Sequence, residues 1–311
     1  MGLKGLKDAS LKLILFGGKG GVGKTTCASA AALYLAEDFK TLILSTDPAH
    51  SLADSLGQKL GDQPKEIKGV KNLIALEVNA ENALLKFKTE HEDQIRKIVE
   101  TGTNLDAEDI DSVFALPIPG MDEVMGFKTM IDLIDEAKFD KYVVDTAPTG
   151  HALRLLTSPK LLDDWVKVMA KMRWKYRYMV ERFAGKYNGD EGDDFLLSMK
   201  KIVKKMEELL RDPNRCEFIA VTIPEDMAIL ETQRLINSLD KYGIKVRQLV
   251  INSVLESDGC EFCKEKRKEQ DKYINQIKMK FNGLKTTITP SYPQEIKGIE
   301  ALANFRERLF N

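Results

Sequence analysis

Near the amino end of the chain, Phe16-Gly17-Gly18-Lys19-Gly20-Gly21-Val22-Gly23-Lys24-Thr25-Thr26 has the residue types and spacing to hold a chain of phosphates. The window Gly18 to Thr25 fits G-x-x-x-x-G-K-[ST] at every fixed position. Glycines let the backbone wrap closely, so that the N–H groups of Gly20, Gly21, Val22, Gly23 and Thr26 can point at an anion. Lys24 is the cation expected to reach the β- and γ-phosphates, and the Thr25 hydroxyl is the expected Mg²⁺ ligand. Lys19 is a second lysine at the start of the loop, where an ordinary phosphate loop has none. Two carboxylates, Asp47 two residues after one apolar run and Asp145 at the end of another, open polar loops that contain Pro or Gly. A carboxylate so placed beside a phosphate can order a metal-bound water or the attacking water. Taken alone, either aspartate would read as a turn or a helix cap. Asn252 ends another apolar run, and its amide offers one donor and one acceptor side to a base edge.

These groups need a sheet to gather them. Candidate strands are Lys12–Phe16, Thr41–Ser45, Asn72–Val78, Lys141–Asp145, Glu217–Ile223, Arg247–Asn252 and Thr286–Ile288. Several are near-continuous apolar runs, as parallel strands covered on both faces should be. They alternate with helical patterns. The expected fold is therefore an α/β P-loop NTPase with a doubly wound, mostly parallel sheet, binding ligands at the carboxyl ends of its strands. Two stretches, about 80–138 and 158–212, break this rhythm and read as helical insertions that form a subdomain of a single domain spanning 1–311.

Composition sets outer bounds. With 47 basic and 48 acidic residues among 311, no global field favours nucleic acid. No apolar run approaches the ~20 residues of a membrane span, and the amino end lacks the apolar region of a signal peptide. A cytoplasmic protein is expected. Four cysteines argue for metal or reduced thiols over a disulfide framework. Cys27 and Cys216 read as small buried residues, whereas Cys260-Glu261-Phe262-Cys263 can grip one metal or form a redox pair. Structural Zn²⁺ wants four ligands, so this chain would supply half a site and a two-fold axis the other half.

Gly18-Lys19-Gly20-Gly21-Val22-Gly23-Lys24-Thr25-Thr26 resembles the deviant Walker A motif of the signature-lysine ATPases. In that superfamily the first lysine crosses a dimer interface to the partner's nucleotide, and a cation in trans is worth about 10³ to 10⁵ in rate. Asp47-Pro48-Ala49-His50-Ser51 resembles the first switch of the tail-anchored-protein targeting and arsenical pump-driving ATPases. The segment from Asp145 through Gly150-His151-Ala152-Leu153-Arg154 to Leu156 resembles their second switch. Ser51 stands where some relatives carry Asn, and neither His50 nor His151 is given a role in proton transfer. Pro290 and Glu295-Ile296-Lys297-Gly298 are similar to the family's adenine loop. The resemblance implies a homodimer, or a higher oligomer, that hydrolyses ATP with Mg²⁺. In it Asp47 activates water, Lys19 acts in trans, Asp145 supports the metal and senses the γ-phosphate, and Zn²⁺ on Cys260 and Cys263 staples two copies together.

Leu162, Trp165, Met169, Met172, Tyr176, Met179 and Phe183 recur every three or four residues along one helix face, and Phe195, Met199, Ile202, Met206 and Leu209 mark another. Met121 and Met125 lie upstream in a stretch similar to a family segment. Such faces can form the subdomain's own core. Met-rich surfaces also accept varied apolar partners, and the resemblance implies a groove here for transmembrane segments of client proteins, delivered to a membrane receptor. The alternative is an ATPase subunit driving an arsenite or other anion pump.

Overall fold

The computed structural model describes residues 3–47, 51–102, 120–146, 149–184, 186, 189–256 and 259–311, with the side chains of 149–157 and 184 outside it. The expectations that rest on Pro48–His50, Ala147–Pro148 and the His151 side chain fall outside the described residues. The chain separates into two compact units. The first is built from residues 1–79, 133–153 and 209–311, and the second from 80–132 and 154–208.

The first unit is an eight-stranded sheet. Its strands are β1 (Leu13–Gly17), β2 (Thr41–Ser45), β3 (Lys65–Glu66), β4 (Leu73–Glu77), β5 (Lys141–Asp145), β6 (Cys216–Thr222), β7 (Val246–Val254) and β8 (Lys285–Pro290). They lie in the order β3-β4-β2-β5-β1-β6-β7-β8, parallel throughout except for the β3–β4 pair. The expected doubly wound, mostly parallel α/β sheet is present. Every residue of β1, β2, β4, β5 and β6 is buried, which is why these strands read as unbroken apolar runs. Strand β3 gave no such pattern, being two exposed charged residues.

Helix α1 (Lys24–Leu35) packs on β1, β2 and β5. Ala28, Ala30, Ala31 and Ala32 are fully enclosed there, small enough to let the C-terminal helix (Gly298–Phe310) close on the other side. Tyr34 and Phe310 stack at 3.9 Å between ring centroids to fasten the two. Helix α2 (Ser51–Leu56) is short and is anchored in the same core by Leu52 and Leu56.

The second unit is helical: α3 (Ala80–Glu90), α4 (Glu92–Gly102), most of α5 (Met121–Asp135), most of α6 (Thr149–Ala184) and most of α7 (Glu191–Arg211). The unit boundaries fall inside α5, α6 and α7, whereas the sequence reading put them near 138, 158 and 212. A helix that runs through a boundary leaves no turn residue to mark it. Pro159 likewise lies inside α6, so the break expected near Ser158 is instead continuous helix. Later elements of the first unit are α8 (Asp226–Lys241), α9 (Glu261–Lys280) and α10, the C-terminal helix already described. Among the described residues no helix is long and apolar enough to cross a membrane.

Candidate functional site

The glycine loop leaves β1 and enters α1 at the carboxyl edge of the sheet. Gly18 passes so close to the Val221 carbonyl of β6 that a Cβ would collide with it. Gly23 caps α1 with φ 90°, a left-handed conformation, and a Cβ there would strike the Asn252 amide nitrogen. No side chain caps the helix, so the first-turn N–H groups and the dipole remain for an anion. Lys24 is buried and folds back over the loop, its Nζ donating to the Lys19 carbonyl at 3.2 Å.

Asp145 is enclosed at the end of β5, directly beside Phe16 of β1 and Ser45 of β2. Thr25 Oγ1 donates to Asp145 Oδ2 at 2.7 Å. Burial pushes the Asp145 carboxyl up to about 7, against the pull of the Thr25 hydrogen bond and the Lys24 charge. Burial also lowers Lys24 below the ordinary amine range, opposed by the Asp145 and Asp47 carboxylates. Among the described residues Asp145 Oδ1 is buried without a hydrogen-bond partner. A hard cation or its water shell at this point would satisfy that oxygen and the remaining Thr25 lone-pair capacity, so the donor set fits Mg²⁺. Asp47, half-buried two residues beyond β2, has its N–H held by Ser45 Oγ at 3.1 Å.

A cavity of about 440 Å³ runs from Gly21, Gly23 and Thr25 past Asn252 to Pro290, Tyr292 and Glu295. That is the size range of sites for small ligands and cofactors. Asn252 sits where the β7–β8 register shifts, beside Ser253 with φ 59°. Its Nδ2 donates to the Val22 carbonyl at 2.9 Å, and its Oδ1 accepts from Thr289 at 2.8 Å. One N–H and one lone pair of the amide remain for a base edge. Asn252 thus also ties the phosphate loop to β8, a duty invisible in sequence.

The model of the family described as anion-transporting ATPases matches residues 11–311. The chain belongs to this family. Its relatives include ATPase ASNA1 homolog 1 of Paramecium tetraurelia, 37% identical over 98% of this chain and 94% of that one. ATPase GET3A of Arabidopsis thaliana is 33% identical over 97% of this chain and 85% of its own, and ATPase get3 of Schizosaccharomyces pombe 33% over 98% and 92%. The resemblance seen in the motifs therefore extends along the chain. As a member of the anion-transporting ATPase family the protein is an ATPase.

Cys260 caps α9, its sulfur accepting the Cys263 N–H at 3.3 Å. The Cys263 thiol and N–H hold Cys260 below the ordinary thiol range. Among the described residues no group of three or more Cys, His, Asp or Glu surrounds a common point. The pair alone cannot complete a tetrahedral Zn²⁺ site, and two further ligands would have to come from outside the described residues. Cys27 and Cys216 are buried, and burial raises both thiols.

In the helical unit, Met121, Met125, Met169 and Met199 are enclosed, while Trp165 and Met172 are half-buried and Met179 is exposed. The buried stripe of α6 is Leu162, Val166, Met169 and Arg173; it shares Leu162 and Met169 with the heptad-spaced stripe read from sequence, whose other members are half-buried or exposed. A 3.6-residue helix drifts about 20° per heptad from a 3.5-residue pattern, so that stripe begins inside and ends outside. Its last member, Phe183, is 86% exposed. Trp174 and Tyr178, stacked at 5.9 Å, are exposed too. Arg173 is buried; it pairs with Asp190 and Asp193 and donates to Thr101 at 3.2 Å.

Proposed function

We propose that the protein is one half of a nucleotide-closed homodimer that shields and delivers tail-anchored membrane proteins. The observation that carries this reading is the set of large apolar side chains exposed on the outer half of α6, Trp174 with Tyr178 on one side of the helix and Met179 with Phe183 on another. It belongs to a helical unit inserted into an ATPase. An aqueous protein seldom leaves such a surface uncovered without use, and an apolar helix is the partner that matches it. Met121, Met125, Met169 and Met199 are buried within the same helical unit; a client that opened the unit could reach them.

In the ATPase step, Lys24 and the loop N–H groups hold the β- and γ-phosphates. Asp47 orients the attacking water and draws its proton. Lys19 serves the partner's pocket, adding charge where it develops on the transferring phosphoryl group. Thr25 and Asp145 would hold Mg²⁺, which supplies neutralising charge on the phosphate oxygens. Asn252 and Pro290 border the base. Cys260 and Cys263 with their counterparts would bind one Zn²⁺ per two chains, and Cys260→Ser with Cys263→Ser should abolish the metal found on purification. The work would be done in the cytoplasm, with a receptor at the membrane taking delivery.

A second reading, the energising subunit of an anion pump, is favoured by the description of the family. Co-expression with a tail-anchored membrane protein separates the two. The targeting reading expects a soluble complex, lost with Trp174→Ser plus Phe183→Ser while basal hydrolysis persists. Each buried aromatic contributes about 1.5–3 kcal/mol, so capture should weaken at least about a hundredfold. No complex with several clients, together with arsenite-stimulated hydrolysis, would favour the pump.

A further inference from the structure

An orderly set of polar contacts beyond the phosphate loop holds α2, the six-residue helix that begins four residues after Asp47. So short a helix is not stable by itself, and its first-turn N–H groups lack intrahelical partners. Among the described residues three hydrogen bonds from side chains of other elements help to hold it. Ser51 and Ser55, one turn apart, meet Thr25 and Ser29, one turn apart on α1, at 3.3 and 3.2 Å. Because the Thr25 proton is already given to Asp145, Ser51 must be the donor in the first pair. The third contact comes from the sheet. Glu77 Oε1, at the end of β4, accepts the Ala53 N–H at 2.9 Å.

Glu77 is 7% exposed and follows four buried apolar residues, Leu73 to Leu76. A carboxylate in such a place is costly unless it is bonded. Its backbone is fixed on both sides: Glu77 N–H donates to Gly61 at 3.0 Å, and the next N–H, of Val78, to Ser45 at 2.9 Å. Ser45 lies opposite Glu77 in the β2–β4 register, and its hydroxyl holds the Asp47 N–H. Glu77 therefore grips the first turn of α2 while its own strand is locked to the residue that holds Asp47.

We propose that Glu77 is a positioning residue for hydrolysis: its carboxylate seats α2 against α1 beside Thr25 and so helps to fix where Asp47 stands relative to Thr25. This rests on the water-orienting reading of Asp47 given above. The requirement is an acceptor oxygen at a helix N-terminus, worth about tenfold when lost.

The test uses the full-length protein with Glu77→Ala and Glu77→Gln, alongside Asp47→Asn. Glu77→Ala should lower kcat about tenfold with KM for Mg–ATP within about threefold, and should speed amide exchange in residues 51–57 by about tenfold. Glu77→Gln, which keeps a carbonyl acceptor, should restore kcat to within about threefold of the parent. Wild-type kcat in the Ala variant, unchanged exchange in α2, or Gln no better than Ala would overturn the proposal. A fall in nucleotide affinity as large as the fall in kcat, with a general loss of stability, would also overturn it, since that marks a structural role only. Full turnover in Asp47→Asn would instead remove the Asp47 reading, and the exchange result on α2 would still judge the contact itself.

Discussion

Replacing Asp145 by Asn should make the unliganded fold more stable at alkaline pH and leave the enzyme inactive. The carboxyl is raised from 3.8 to about 7. A raised folded-state pKa means that the protonated form carries the stability. That contribution is complete below about pH 3.8 and is lost as pH climbs through about 7. At 1.36 kcal/mol per unit, roughly three units amount to about 4 kcal/mol, of which about 2.5 is lost between pH 5 and pH 8. Asn carries no charge and so lacks this slope. Its amide can still accept from Thr25, but an N–H in place of the unpartnered Oδ1 adds a pH-independent cost of about 1–3 kcal/mol. The variant should therefore gain about 2.5 kcal/mol on the parent between pH 5 and pH 8, whatever its offset. Urea titrations at the two pH values, read by amide exchange in peptides of β1 and β5, measure this. Fluorescence would miss it, because Trp165 and Trp174 both lie in the helical unit. Parallel pH profiles for parent and variant would refute the claim that burial without a cation holds this carboxylate in its acid form.

Two further substitutions probe contacts that tie distant segments together. Asn252→Ala strips partners from the Val22 carbonyl and the buried Thr289 hydroxyl; at about 1–3 kcal/mol per stranded group, nucleotide affinity should fall roughly ten- to a hundredfold, as calorimetry would register. Arg173→Met removes a buried cation from between Asp190 and Asp193 and should cost the helical unit about 3 kcal/mol, seen in tryptophan fluorescence melts, with nucleotide affinity of the other unit unchanged.

What could be read in advance was what is contiguous in the chain. The phosphate loop, the strand before it and the helix after it occupy successive residues, and strands enclosed on both faces show as unbroken apolar runs. Strand order could not be read, and with it went every contact that depends on which strands are neighbours. Glu77 looks like an ordinary charged residue at the end of a run until β4 is known to lie beside β2. Ser29 and Ser55 carry no signal until α1 and α2 are seen side by side. In α6 the apolar pattern pointed at a partly wrong stripe, because the position that continues Leu162, Val166 and Met169 inward is filled by an arginine. Buried ion pairs of this kind are silent to any reading based on hydropathy.

The central proposal is that each copy completes its neighbour's ATPase site, and mixing two disabled variants tests it most directly. Lys24→Ala disables its own pocket, and Lys19→Ala disables the pocket of its partner. In an equal, fully exchanged mixture about half of the dimers are hybrids, and each hybrid holds one intact site, so turnover should return to about a quarter of the parent value although each variant alone is inactive. A mixture as inactive as its components, or a Lys19→Ala protein that turns over normally by itself, would contradict it.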